Sequence, residues 1–294
     1  MGLTGKILCL LLLACLSAGA SARVILLAVP ATDSPLIVEF TNALGSELKQ
    51  DDIRVIQTGT PAPAELAAAD IIITLGAERL DWRLDQSLNT PSIALYLSSS
   101  AIPAALPDYL HAIPATPDPL RQVRLAKRLL SRLRTVGLLY SASSESLKQH
   151  WHEAIAANDL QQHSVLVRRN EGLTRGIQRV LDQSDVLLGI DDSNIYNADN
   201  LKTILLTSYS RNKVLIGPSA PFIEAGSLST TYSTARDMAR SVALLLQRES
   251  LQSGTSYPTY FSVLSNAQVA RSLGLPVPDD VELARELSEL EQSP

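Results

Sequence analysis

The chain is poor in the residues that most directly carry chemistry. It has 2 cysteines, 4 histidines and an aromatic fraction of only 4%. Both cysteines, Cys9 and Cys15, fall within the first 22 residues. If that segment is removed, what remains has no disulfide, no thiol nucleophile and no thiolate metal site. Basic charge is not in excess either: 25 Lys and Arg stand against 30 Asp and Glu, a net charge of −5, which argues against a surface for nucleic-acid phosphates. No Gly-x-Gly-x-x-Gly follows an apolar run and no loop ends in Gly-Lys-Ser or Gly-Lys-Thr, so the usual backbone cradle for a nucleotide is missing. The Gly-x-Ser-x-Gly elbow that presents a serine nucleophile is missing as well, which makes a serine hydrolase improbable.

What is present is apolar and β-branched. The 294 residues are 46% hydrophobic, enough for a large core and for two domains. The first 22 residues stand apart: Lys6, an apolar run from Ile7 to Leu13, then small residues from Ser17 to Ala22. That order reads as a secretory signal, and the run is well short of the roughly 20 residues that span a bilayer. Two exits are open. Ala20-Ser21-Ala22 fits cleavage before Arg23, and Leu12-Leu13-Ala14-Cys15 looks like a lipoprotein signal with Cys15 as the lipid carrier. The expected location is the periplasm, with the chain either free or tethered by its end.

Short apolar runs recur at Val24 to Val29, Ile53 to Gln57, Ile71 to Leu75, Ile93 to Leu97, Val136 to Tyr140, Ser164 to Val167, Val186 to Ile190 and Val214 to Ile216. Most are continuous, not alternating, as strands buried on both faces of a parallel sheet are. Helical periodicity fills the gaps, as in Leu36 to Leu48 and Pro119 to Arg134. The alternation predicts βαβ units in a doubly wound α/β fold. Between the fourth and fifth runs, residues 98–119 carry five prolines after Ser100 and cannot be one helix. That stretch divides the runs into two sets of four, hence two lobes.

In open α/β sheets ligands bind beyond the carboxyl ends of the strands. Asp191, Asp192, Ser193 and Asn194 follow such a strand, with capping of the next helix as the alternative reading. The Ser-, Thr-, Asp- or Gly-rich loops Pro30 to Ser34, Leu75 to Glu78, Ser98 to Ser100 and Ser141 to Glu145 occupy equivalent places, and together they would line a cleft. His150, His152 and Glu153 form the densest histidine feature, but residues two apart on a helix face different ways, which favours a solvated helix over a metal site. No metal and no cofactor is expected. A hydrolase-like or metal-dependent enzyme would need His150 and His163 to converge with a carboxylate.

"TVGLLYSASSES", "SDVLLGIDDSNIYN", "KVLIGPSAPFIEAGSLSTTYSTARDMARSVALLLQ" and "QVARSLGLPVPDD" resemble, in order and spacing, the periplasmic substrate-binding proteins of ABC transporters in the tryptophan-binding-like group. The resemblance covers residues 135–285, and the first lobe in strand order only. It implies a type I periplasmic binding protein fold: two doubly wound parallel-sheet lobes joined by three crossovers and closed on a ligand by a hinge. It further implies that "SLSTTY" is a crossover strand returning the chain to the first lobe, and that Ser34, Ser141, Asp191, Ser219, Phe222 and Tyr232 face the cleft. The expected lobes are residues 23–114 with 234–249, and residues 115–233 with 250–294. The expected function is non-enzymatic: binding a small polar or amino-acid-like solute and handing it to an ABC permease in the inner membrane. The alternative is a ligand-sensing or interaction module that partners a membrane receptor or kinase.

Overall fold

The computed structural model describes residues 22–32, 34–57, 62–168, 172–248 and 250–292; residues 1–21, with both cysteines and most of the expected export signal, lie outside them. The first stretch of chain forms β1 (Val24–Ala28), α1 (Pro35–Glu47), β2 (Asp52–Ile56), α2 (Pro63–Ala67), β3 (Ile71–Leu75), α3 (Ala77–Leu84), β4 (Ser92–Leu97) and β5 (Leu110–Pro114). Next come α4 (Pro119–Leu129), β6 (Thr135–Tyr140), α5 (Lys148–Ala156), β7 (Gln161–Leu166), α6 (Leu173–Leu181), β8 (Val186–Leu188), α7 (Ala198–Tyr209), β9 (Val214–Ile216), α8 (Pro221–Glu224) and β10 (Ser229–Tyr232). The chain closes with α9 (Ala235–Leu245), β11 (Gly254–Thr255), β12 (Ser262–Ser265), α10 (Ala267–Ser272) and α11 (Asp280–Gln292). Two short 3-10 turns, Ser99–Ala101 and Ala142–Leu147, follow β4 and β6.

These strands make two six-stranded sheets with the same order, β2-β1-β3-β4-β5-β11 and β7-β6-β8-β9-β10-β12. Every pairing is parallel except β10 with β12. The continuous apolar runs are explained by burial on both faces: β3 and β5 are buried at every position, and so are β8 and β9. Each fully buried Ile, Leu or Val contributes roughly 1.5–3 kcal/mol relative to exposure. The helix starts are chemically marked. Asp118 caps α4 by accepting the Leu120 N–H at 2.8 Å, and Thr234 and Asp237 form a reciprocal capping box at the start of α9.

Two expectations about chain order are corrected. The eight apolar runs, with "SLSTTY" and "TYFSVL" (residues 259–264) also expected as strands, account for all but two of the twelve: β5 lies inside the proline-rich stretch, where Leu110–Ile113 are buried and Pro114 occupies the last position of the strand, and β11 is only two residues long. The segment Ser227 to Tyr232 is not a crossover strand. β10 pairs with β9 at Ser229 and Ile216 and runs antiparallel to β12, so it belongs wholly to the second sheet, and the chain leaves that sheet after Tyr232. Helix α9 then packs on α1 in the first lobe, where Met238 and Val242 share a core with Phe40 and Leu44. β11 joins β5 in the first sheet, so the second lobe resumes near β12 and not at residue 250. The chain therefore passes between the sheets three times, through residues 115–118, 233–234 and 256–261.

A few polar side chains fix the crossovers. Gln122 of α4 is buried; its amide donates to Gly217 O at 2.9 Å and its carbonyl accepts the Thr231 N–H at 3.0 Å, tying the end of β9 to β10. Arg121 pairs with Glu291 of α11 at 2.6 Å, donates to Pro258 O and lies 3.7 Å over the Phe261 ring, so the last helix and the third crossover share one anchor. His111 of β5 sits between Gln252 O and Ser256 Oγ, each 2.8 Å away. A carbonyl only accepts, so Nδ1 carries the proton and Nε2 accepts from the serine hydroxyl. Burial, followed by the nearby Arg248 charge, pushes the His111 pKa below its ordinary value despite the opposing bond to Gln252.

Replacing Gln122 by Ala removes the acceptor of a buried N–H, and a loss of about 1–3 kcal/mol is expected in urea unfolding. His111 makes stability depend on pH in a set direction. The unfolded chain takes up this proton near pH 6.5, whereas the folded one resists it until lower pH. Its contribution is therefore complete above that value and is lost as pH falls below it. The melting temperature should drop between pH 7 and pH 5, and His111→Gln should flatten that drop even if it lowers the temperature overall.

Candidate functional site

The loop that follows the carboxyl end of β4 in one sheet meets the loops that follow β6 and β8 in the other, and strand-end loops of this kind make the cleft. The second lobe contributes the loops after β6, β8 and β9. Within the loop after β8 two adjacent aspartates part company. Asp192 is buried and accepts four donors: the Ser141 N–H at 2.6 Å, the Ser141 hydroxyl at 3.1 Å, the Ser144 hydroxyl at 2.5 Å and the Asn194 N–H at 3.0 Å. It binds the β6 loop to the β8 loop. Asp191 points the other way, toward the first lobe. Its Oδ2 accepts the Ser98 hydroxyl and the Ser99 N–H, both at 2.6 Å.

The floor of the cleft needs a glycine. A Cβ on Gly189 would come within 2.5 Å of Pro218 Cδ, so only Gly lets the β8 and β9 loops approach this closely. Between the lobes lies a cavity of about 20 Å³, lined by Ser99, Thr116, Pro119, Gln122, Trp151, Gly189, Asp191, Pro218 and Tyr257 among others. That is room for about one water molecule. It shares Pro119, His150 and Tyr257 with a wider groove of about 280 Å³ that also meets Asp118, Leu120 and Glu153. Burial, with the charges of Asp118 and Asp191 adding to it, pushes the Tyr257 pKa up to about 12, so its hydroxyl stays protonated as a donor. Burial likewise raises the pKa of Asp118.

Of the six residues expected at the cleft, Asp191 lines the interlobe cavity. Ser141 is turned inward onto Asp192, Ser143 and Asn194. Ser34 lines a separate pocket of about 220 Å³ at the amino end of α1, with Val29, Ile37, Val38, Val55 and Gln57. Phe222 packs edge-on against Tyr196, with ring centres 6.4 Å apart, on the core of the second lobe. Ser219 begins the turn before α8, accepting the Phe222 N–H through its carbonyl, and Tyr232 ends β10 opposite Ser262. The loop Ser98 to Ser100, marked in the sequence only as a strand end, supplies the first lobe's two hydrogen bonds to Asp191. Thr116 and Tyr257 carry no local signal; they reach the cavity because they lie on the first and third crossovers. His150 lines the cavity, while His152 faces Gln162 at 3.1 Å, and among the described residues no three His, Cys, Asp or Glu side chains are placed to hold a metal ion.

The two aspartates differ in a measurable way. Asp192→Ala leaves several buried donors without an acceptor, and a loss on the order of 3 kcal/mol is expected in chemical unfolding.

No protein-family model matches the sequence, and a search of curated proteins gives no match. Solved structures do match. A ligand-free, open substrate-binding protein with adhesive properties from Clostridium difficile aligns with a TM-score of 0.65 at 13% identity, over 88% of this chain and 97% of that one. An ABC domain in complex with L-Trp from Streptococcus pneumonia aligns at 0.54 and 14% identity, over 90% and 98%. A periplasmic ribose ABC transporter protein from Conexibacter woesei aligns at 0.50 and 13% identity, over 91% and 99%. With its two mostly parallel sheets of like order and three crossovers, the chain has the type I periplasmic binding protein fold.

Proposed function

We propose that this protein is the solute-binding component of an ABC-type uptake system, exported to the periplasm, taking a small polar or amino-acid-like solute between its lobes without chemical change. The observation that carries the reading is the facing of two strand-end loop sets across three crossovers, with Asp191 of one lobe reaching donors on the other. Such an arrangement binds by closure: polar groups at strand ends hold the solute while the crossovers bend. Two of the matching proteins are named for ABC systems, one of them in complex with L-Trp and the other named for ribose, so amino acids and sugars are the first solutes to try. Export rests on the sequence signal, and intact mass of the protein recovered from cells distinguishes cleavage before Arg23 from lipidation at Cys15.

A second reading has its own observation. The interlobe cavity is only about 20 Å³ and Asp191 already has protein donors, as a module that kept the fold for sensing or docking and bound no solute would have. Refolded protein, stripped of any carried ligand, is screened by thermal shift against amino acids, sugars and small organic acids, with hits taken to calorimetry. A true solute at 100 times its Kd should stabilise by about 2.7 kcal/mol, a shift of several degrees. If nothing shifts the melting curve and native protein carries no small molecule by mass spectrometry, the uptake reading is wrong. Capture of a periplasmic receptor or kinase domain, undiminished by Asp191→Ala, would then favour the second.

A further inference from the structure

The lobes touch through the turn that follows β4. Ser98 ends an extended stretch, with φ −63° and ψ 139°, and Ser99–Ala101 then coil into a single 3-10 turn. The turn is aimed by a backbone irregularity: Tyr96 has a φ of +56°, the register between β4 and β5 slips between Leu95 and Leu97, and the Tyr96 ring is held edge-on by Phe40 at 5.6 Å. A non-glycine residue with positive φ costs energy that the surroundings must offset, and such sites gather where a loop is given a task. Here the bulge delivers Ser98 and Ser99 to the opposite lobe. Both donors fall on one oxygen of Asp191. The Ser99 hydroxyl meets that of Thr116 on the first crossover, and Ser99 lines the same cavity as Tyr257 on the third. One turn thus bridges the partner lobe and the first of the three connections on which the lobes would bend.

We propose that the Ser98–Ser100 turn is a built-in occupant of the cleft. It holds the lobes closed on Asp191 when no solute is present and competes with any solute for that carboxylate. The residual cavity of about 20 Å³ fits this, because the space beside Asp191 is taken by protein. A carboxylate accepts and cannot donate, so a solute that displaces the turn has to bring hydrogen-bond donors of its own, such as an ammonium or a pair of hydroxyl or amide groups. That last consequence rests on the solute-binding reading; the closed resting state does not.

The test needs no solute. Ser98→Ala combined with Ser99→Pro removes both donors, and the change is sterically mild: the first position of a helical turn accepts proline, and Ser98 already has the extended backbone required before one. Asp191→Ala removes the acceptor from the other lobe. Full-length mature protein is compared by small-angle scattering, with ligand stripped by refolding and Ser100→Ala as control, since the Ser100 hydroxyl reaches Ser98 and not Asp191. Wild type and control should share one compact radius of gyration. The double variant and Asp191→Ala should each expand to a common larger value, with unfolding midpoints showing that both remain folded. Equal radii for wild type, the double variant and Asp191→Ala would overturn the proposal, whether all are compact or all extended. A failed solute screen alongside expanded latch variants would discard the uptake reading and leave the closed resting state standing.

Discussion

The cleft depends on one buried carboxylate. Asp192 sits inside the second lobe with four donors on its two oxygens, drawn from the β6 loop and from its own loop. Taken from water without those bonds it would cost several kcal/mol; with them it locks two loops into one surface. Because its side chain is turned inward, the backbone that follows β8 presents the preceding residue outward, and Asp191 is left facing the other lobe. The inner aspartate sets the geometry and the outer one uses it.

The same division between anchoring and facing groups recurs around the crossovers. Arg121 and His111 bond to Pro258 and Ser256 of the third connecting segment, and Gln122, just after the first, bonds to Gly217 and Thr231, where an unpaired polar atom would be costly. Thr116 and Tyr257 lie on the first and third of these segments and line the cavity. The contact between lobes therefore falls at the turn after β4, whose serines touch both the hinge and Asp191. Closure and hinge position are linked through Ser99.

Much of the architecture was legible in the sequence. Continuous Ile, Val and Leu runs such as Ile71 to Leu75 can satisfy both faces only inside a covered parallel sheet, and the proline-rich stretch between the fourth and fifth runs contains both β5 and the first passage between sheets. β5 escaped notice because its five residues end in a proline within that stretch, and β11 because two residues carry no periodicity. Asp191 and the Ser98 loop were visible as strand ends. Ser141 was read as a cleft residue from the same position, but its orientation is decided by Asp192, 51 residues away.

By itself the sequence determined the class of fold, the two-lobed plan and the candidate loops, since hydrophobic period, proline placement and capping residues act over a few positions. Tertiary structure decided which member of the Asp191-Asp192 pair is buried, to which sheet Ser229–Tyr232 belongs, and that Ser98 meets a carboxylate 93 residues away. Those outcomes turn on where separate loops come to rest against one another. Two neighbouring aspartates are the same residue in a one-dimensional pattern; only packing gives one of them four donors and the other a partner across the cleft.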